Sequence, residues 1–166
     1  LNEHQILSVV KHFPGQGATA GDSHDGAVST DKSLDDLLAN ELVPFQQAVN
    51  NGASFVMVGH ISAPAVTGDD TPASLSSVMV TDVLRNQLGF HGVVITDAMN
   101  MGAVTGTYSS ADAAVTAIQA GVDMILMPDD FQSAYQGVMD AVAGGTITED
   151  RINESVARII KVKLTM

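Results

Sequence analysis

Four continuous apolar runs of strand length constrain the fold of this 166-residue chain most: Ile6 to Val10, Phe55 to Val58, Val93 to Ile95, and Met124 to Met127. None alternates apolar with polar residues, so each reads as a strand covered on both faces of a parallel sheet. The segments between them carry helical spacing. Leu34, Leu37, Leu38, Leu42, Phe45 and Val49 form one apolar stripe, opened by Ser33 with Asp36 three residues on, a capping-box pattern. Val80, Val83, Leu84 and Leu88 form a second stripe, stopped by Gly89, and Ala113, Ala114, Ala117 and Ile118 a third, stopped by Gly121. Tyr135, Val138, Met139 and Val142 form a fourth before Gly144 and Gly145. A last helix is expected from near Thr148, with Glu149 and Asp150 at its positive end and Lys161 and Lys163 at its negative end.

The order βαβαβαβαα predicts parallel strands, because each strand-to-strand connection is too long for a hairpin. Four βα units fit an open doubly wound sheet or half of an eight-stranded barrel, a fold of about 250 residues. Periodicity alone does not choose between them. The expected unit is a single partial domain over residues 1–166, with no short repeat and no low-complexity segment.

Charge narrows the partners. Seven Lys plus Arg stand against nineteen Asp plus Glu, a net charge of -12, and such a field repels nucleic-acid phosphates and anionic lipid head groups. The apolar runs are too short for a helical membrane span of roughly 20 residues. With no cysteine there is no disulfide, thiolate nucleophile or Cys-ligated zinc, and the redox compartment stays open. The chain starts at Leu1 and carries no segment of signal-peptide type, so it is expected to be part of a longer protein, and localisation is left open.

In either architecture, functional groups collect at the carboxyl ends of the strands. The first apolar run leads into Lys11 and His12, the second into His60 and the third into Asp97. In "GVVITDAMNMGA" a carboxylate comes directly off a buried strand and small residues follow, which suits a nucleophile, a general base or a metal ligand; an N-cap is the structural alternative. His60 is a candidate for ligand contact or simply a turn residue satisfying backbone groups.

The stretch "KHFPGQGATAGDSHDG", residues 11–26, crowds titratable groups into a glycine-rich loop. Asp22 and His24 stand two apart, so in an extended loop the carboxylate reaches the imidazole, fixes one tautomer and stabilises the imidazolium. A solvated Asx turn accounts for the same spacing. Zinc or manganese is disfavoured because the loop has no helical H-x-x-x-H and Lys11 brings a competing cation. The G-x-G at Gly15 to Gly17 does not open a helix and makes a weak phosphate cradle.

Taken in order, "KHFPGQG", "DSH" and "VVITDAMNMGA" resemble glycoside hydrolase family 3, and within it the β-N-acetylglucosaminidases. "ASLSSVMVTDVLRNQLGFHGVVITD", "AIQAGVDMILMP" and "RINESVARIIKVKL" extend the likeness over essentially the whole chain. One departure is Gln16, where the usual motif has a second histidine; glutamine keeps hydrogen-bonding capacity but does not titrate.

The resemblance implies strands five to eight of a (β/α)8 TIM barrel, the C-terminal half, with the N-terminal half upstream. It implies Asp97 as catalytic nucleophile, His24 as general acid/base and Asp22 as its dyad partner, with Lys11 and His12 hydrogen-bonding the sugar; His60, from its place at a strand end, is a further substrate-binding candidate. The implied reaction is retaining hydrolysis of terminal β-linked N-acetylglucosamine through a covalent glycosyl-enzyme, needing neither metal nor organic cofactor. Imidazole suits both proton transfers, since its reference pKa lies near 6.5. Because neutral imidazole does not repel anions, phosphate could instead accept the sugar, which makes a phosphorylase the alternative. A third expectation is that the isolated stretch is a catalytically silent half barrel, active only in the full-length parent. Its open strand edges would then seek the missing half barrel or a homodimer partner.

Overall fold

The computed structural model describes residues 6–19 and 26–165. Its main sheet has four strands: β1 (Val9–Phe13), β3 (Phe55–Val58), β5 (Val93–Ala98) and β6 (Met124–Leu126), in the order β1-β3-β5-β6 and all parallel. Two short strands, β2 (Val28–Ser29) and β4 (Ile61–Ser62), pair in a separate parallel ribbon. Helices α1 (Leu34–Ala39), α2 (Val43–Asn50), α3 (Pro64–Thr67), α4 (Gly102–Thr105), α5 (Ser110–Ala120), α6 (Phe131–Ala143) and α7 (Glu149–Lys163) occupy the connections. The segment Val78–Gln87 is wound as a π-helix.

Strand order resolves the choice that periodicity left open. A doubly wound sheet reverses its order at a switch point, whereas these four strands follow chain order without reversal, as half of a barrel does. Burial agrees: Val56, Val58, Val94 and Thr96 are buried, while Phe55, Met57, Ile95 and Asp97 on the alternate face are only partly so. One face is therefore packed by helices and the other left more open. Among the described residues, no helix is long and apolar enough to cross a membrane.

The sequence-based boundaries shift in three places. The first strand runs from Val9 to Phe13, taking in Lys11 and His12, because pairing of Val9, Val10 and Phe13 with Phe55, Val56 and Val58 sets its extent. The stripe from Leu34 to Val49 is two helices, broken at residues 40–42. Pro44, which has no N–H, sits in the first turn of the second helix, where no donor is needed. In α6 the buried positions are Ala134 and Ala141, while of the stripe expected to face the core Tyr135 and Met139 are exposed and Val138 and Val142 only half-buried; Phe131, at the start of the helix, is 69% exposed. Small residues win that face because α6 lies close on α5: a Cβ at Gly137 would stand 2.7 Å from Ala111 Cβ.

Helix starts follow local chemistry. Ser33 Oγ accepts from Asp36 N–H, Ser109 Oγ from Asp112 N–H, Asp130 Oδ1 from Ser133 N–H and Thr148 Oγ1 from Arg151 N–H. Each such cap is worth about 1 kcal/mol. Phe13 and Phe45 meet edge to face at 5.4 Å and join β1 to α2 within the apolar core.

At the amino-terminal end of the sheet, Asp123 is the hub. Its carboxylate is fully buried and accepts from Arg85 Nη2 (2.7 Å), Val94 N–H (2.9 Å), Ser155 Oγ–H (2.6 Å) and Arg158 Nη1 (3.0 Å). Arg151 adds a third guanidinium at 3.9 Å. One carboxylate thereby ties the π-helix, β5 and α7 to the start of β6.

Candidate active site

β1 and β5 are not neighbours, since β3 lies between them, yet their side chains converge at the carboxyl ends. His12 Nε2 stands 3.6 Å from Asp97 Oδ2, with side-chain exposures of 23% and 17%. At that separation the contact is electrostatic, not a hydrogen bond. Convergence needs open space over β3, and Gly59 supplies it: a Cβ there would lie 3.3 Å from His12 Cβ. The other oxygen, Asp97 Oδ1, accepts the N–H of Ala98 at 2.9 Å. Thr96, fully buried one residue earlier, accepts Leu126 N–H through its hydroxyl (3.0 Å) and pins this end of β5 to β6.

His60 follows β3, two residues past its end. It is 1% exposed, Nδ1 lies 2.7 Å from Ser74 Oγ, and Nε2 lies 3.0 Å from Ala98 O. A carbonyl only accepts, so Nε2 carries the proton and Nδ1 accepts from the Ser74 hydroxyl. Both ring nitrogens are spent on protein groups. Burial lowers its pKa below the usual histidine value, with the Ala98 carbonyl and Asp97 opposing that shift and His12 adding to it. The imidazole is thus a neutral strut from the segment at Ser74 to the peptide following Asp97.

Lys11 lies on β1 with its side chain exposed. Asp22 and His24 lie outside the described residues. Ser74 and Gly59 were not singled out from sequence; a glycine before a histidine at a strand end is the local signal that could have found Gly59, whereas Ser74 reaches His60 only through folding.

Sequentially ordered parallel strands and helical crossovers define an α/β half barrel, with a carboxylate and an imidazole meeting at the carboxyl ends of its strands. Residues 1–162 match the glycosyl hydrolase family 3 N-terminal domain, and the chain belongs to that family. Beta-hexosaminidase A of Pseudoalteromonas piscicida is 31% identical over 178 residues, covering 95% of this chain and 30% of that protein. The structure of a family 3 β-N-acetylglucosaminidase from Paenibacillus sp. str. FPU-7 matches with a TM-score of 0.95 at 37% identity, over 98% of this chain and 32% of that one. Beta-glucoside phosphorylase BglX matches with a TM-score of 0.91 at 29% identity, over 96% of this chain and 30% of its own. The chain spans 30% to 32% of the length of these relatives.

Proposed function

We propose that this chain supplies the nucleophile-bearing side of a retaining β-N-acetylhexosaminidase site, acting on terminal β-linked N-acetylglucosamine. The observation that carries it is the meeting of His12 and Asp97 at 3.6 Å across the glycine at the end of β3. The names of the hexosaminidase relatives support the substrate class.

In the proposed reaction Asp97 Oδ2 attacks the anomeric carbon while His24, oriented by Asp22, protonates the departing glycosidic oxygen. A glycosyl ester on Asp97 results. His24, now neutral, takes a proton from water, whose oxygen attacks the same carbon and releases Asp97 as carboxylate. A sugar hydroxyl about 2.8 Å from both His12 Nε2 and Asp97 Oδ2 would bridge the two groups, and Lys11 adds a second hydroxyl contact. His60 acts through Ala98, holding the peptide that donates to Asp97 Oδ1.

The test uses the natural full-length chain carrying these residues and an aryl N-acetyl-β-glucosaminide. Asp97→Ala should abolish turnover while leaving the fold intact; undiminished release of the aryl group rejects the assignment. The resemblance to beta-glucoside phosphorylase BglX favours one second reading, phosphate as acceptor in the ester-cleaving step. Product analysis at high phosphate separates the two, since free sugar as the sole product excludes phosphorolysis.

A further inference from the structure

At the amino-terminal end of the sheet, a cavity of about 290 Å3 is bounded by residues 52–54, which lead into β3, by residues 89–92, which lead into β5, and by the last turns of α7. Gly92 stands five residues before Asp97, about 16 Å at the rise of a parallel strand, so a small molecule held here does not reach the His12–Asp97 pair. Val49, Phe90 and Val162 give the cavity apolar walls, and His91, Arg158 and Lys161 line it with nitrogen donors. No carboxylate lines it among the described residues. In a chain of net charge -12 this is a local reversal of sign: five of the seven Lys and Arg residues lie on the π-helix and α7.

Neighbouring groups do not cancel this charge. Asp123 is one carboxylate among three guanidiniums, those of Arg85, Arg151 and Arg158. Burial lowers the pKa of Arg85 and of Arg151; Asp123 opposes that shift, and the neighbouring guanidiniums add to it. Arg158 spends Nη1 on Asp123 at 3.0 Å, whereas its Nη2 meets Glu154 Oε2 at 3.5 Å, on a side chain 59% exposed, a pair that solvent screens. The carboxyl end of α7 carries about half a negative charge. Lys163 offsets that without Lys161.

We propose that this cavity binds a small organic phosphate, its dianionic head against Arg158, Lys161 and His91 and its apolar body against Val49, Phe90 and Val162. A phosphate monoester carries a charge of about -1.5 to -2 at pH 7 and three acceptor oxygens, which suits a guanidinium and an ammonium side by side. Ligand pockets start near about 300 Å3, so the space limits the body to about one ring. Binding here is independent of the reaction proposed above. It ties α7 to the two segments entering β3 and β5 and stabilises the fold by linkage.

The experiment titrates the natural full-length chain with phenyl phosphate, inorganic phosphate and benzoate by calorimetry, and repeats the titrations on Lys161→Gln and Lys163→Gln. Both substitutions remove one charge from the end of the same helix, but of the two positions it is 161 that lines the cavity. Phenyl phosphate should bind and raise the melting temperature. Lys161→Gln should weaken it about tenfold, the worth of one charge-assisted hydrogen bond, and Lys163→Gln less than about twofold. Inorganic phosphate should bind about tenfold more weakly than phenyl phosphate for want of the apolar body, and benzoate about tenfold more weakly for want of the second charge. Equal losses in the two variants mean a diffuse positive field and overturn the site, as does phenyl phosphate failing to bind. Inorganic phosphate or benzoate binding as tightly as phenyl phosphate overturns the ligand class. Competitive inhibition of aryl N-acetyl-β-glucosaminide turnover by phenyl phosphate, undiminished in Lys161→Gln, places the anion at the sugar site; that result overturns the proposal and leaves the hexosaminidase reading standing.

Discussion

His12 and Asp97 come within 3.6 Å although their strands are separated by β3, and the glycine at the end of that strand is what lets them meet. The pair is a property of three adjacent parallel strands whose carboxyl ends open to one side. A ligand arriving there meets an imidazole from β1 and a carboxylate from β5 together.

Gly59→Ala tests that geometry directly. The new methyl would start 3.3 Å from His12 Cβ and 3.6 Å from Phe13 O, so His12 must yield by a few tenths of an ångström. Activity should fall by about tenfold, one 1.4 kcal/mol step in transition-state stabilisation, with a melting temperature close to that of the unaltered chain. Unchanged kcat/KM with an unchanged His12–Asp97 separation would falsify the view that this glycine makes the site.

A buried neutral histidine gives a pH signature. The pKa of His60 is lowered in the folded state, so between that value and the ordinary 6.5 the unfolded chain binds more protons. Stability should therefore fall as pH drops below about 6.5 and level off once pH passes below the folded value. His60→Gln, which keeps a donor for Ala98, should remove this component of the slope in urea unfolding followed across pH. An identical slope in the variant would mean that other groups carry it.

Asp123 is placed to matter for stability and not for turnover. Removing Arg85 as Arg85→Met leaves a buried carboxylate with one partner fewer, and breaking a buried pair of this kind costs about 3–5 kcal/mol. Whole domains are stable by only about 5–15 kcal/mol, so the loss should be plain in urea unfolding. A change under 1 kcal/mol by the same measurement would show that Arg151 and Arg158 suffice.

The contact between α5 and α6 makes an opposite prediction to helix propensity. Gly→Ala in a helix interior is ordinarily favourable by about 1 kcal/mol. At position 137 the added Cβ would lie 2.7 Å from Ala111 Cβ and 3.0 Å from its Cα, and overpacking of that kind costs about 1–3 kcal/mol. Gly137→Ala should thus lower the melting temperature, whereas Phe131→Ser, on the exposed side, should leave it nearly unchanged. The reverse ranking in thermal unfolding would place the α6 interface on the wrong face.

Local chemistry was readable from the residues themselves. Four apolar runs marked the parallel strands, and Ser33 and Thr148 marked helix starts because their hydroxyls satisfy nearby amides whatever the rest of the chain does. Gly89 and Gly121 marked helix stops, each at positive φ, for an equally local reason. Asp97 stood out as a carboxylate where a buried strand ends. Tertiary structure alone decided the strand order, which distinguishes a half barrel from a doubly wound sheet, because periodicity records which faces are buried and not which strands adjoin. It also decided which residues share a site. His12 and Asp97 are 85 positions apart in sequence, and a contact over that distance depends on how β3 and its glycine fill the space between. His60 was visible as a polar residue at a strand end, but whether its ring met ligand or protein depended on Ser74 and Ala98, which only folding brings to its two nitrogens.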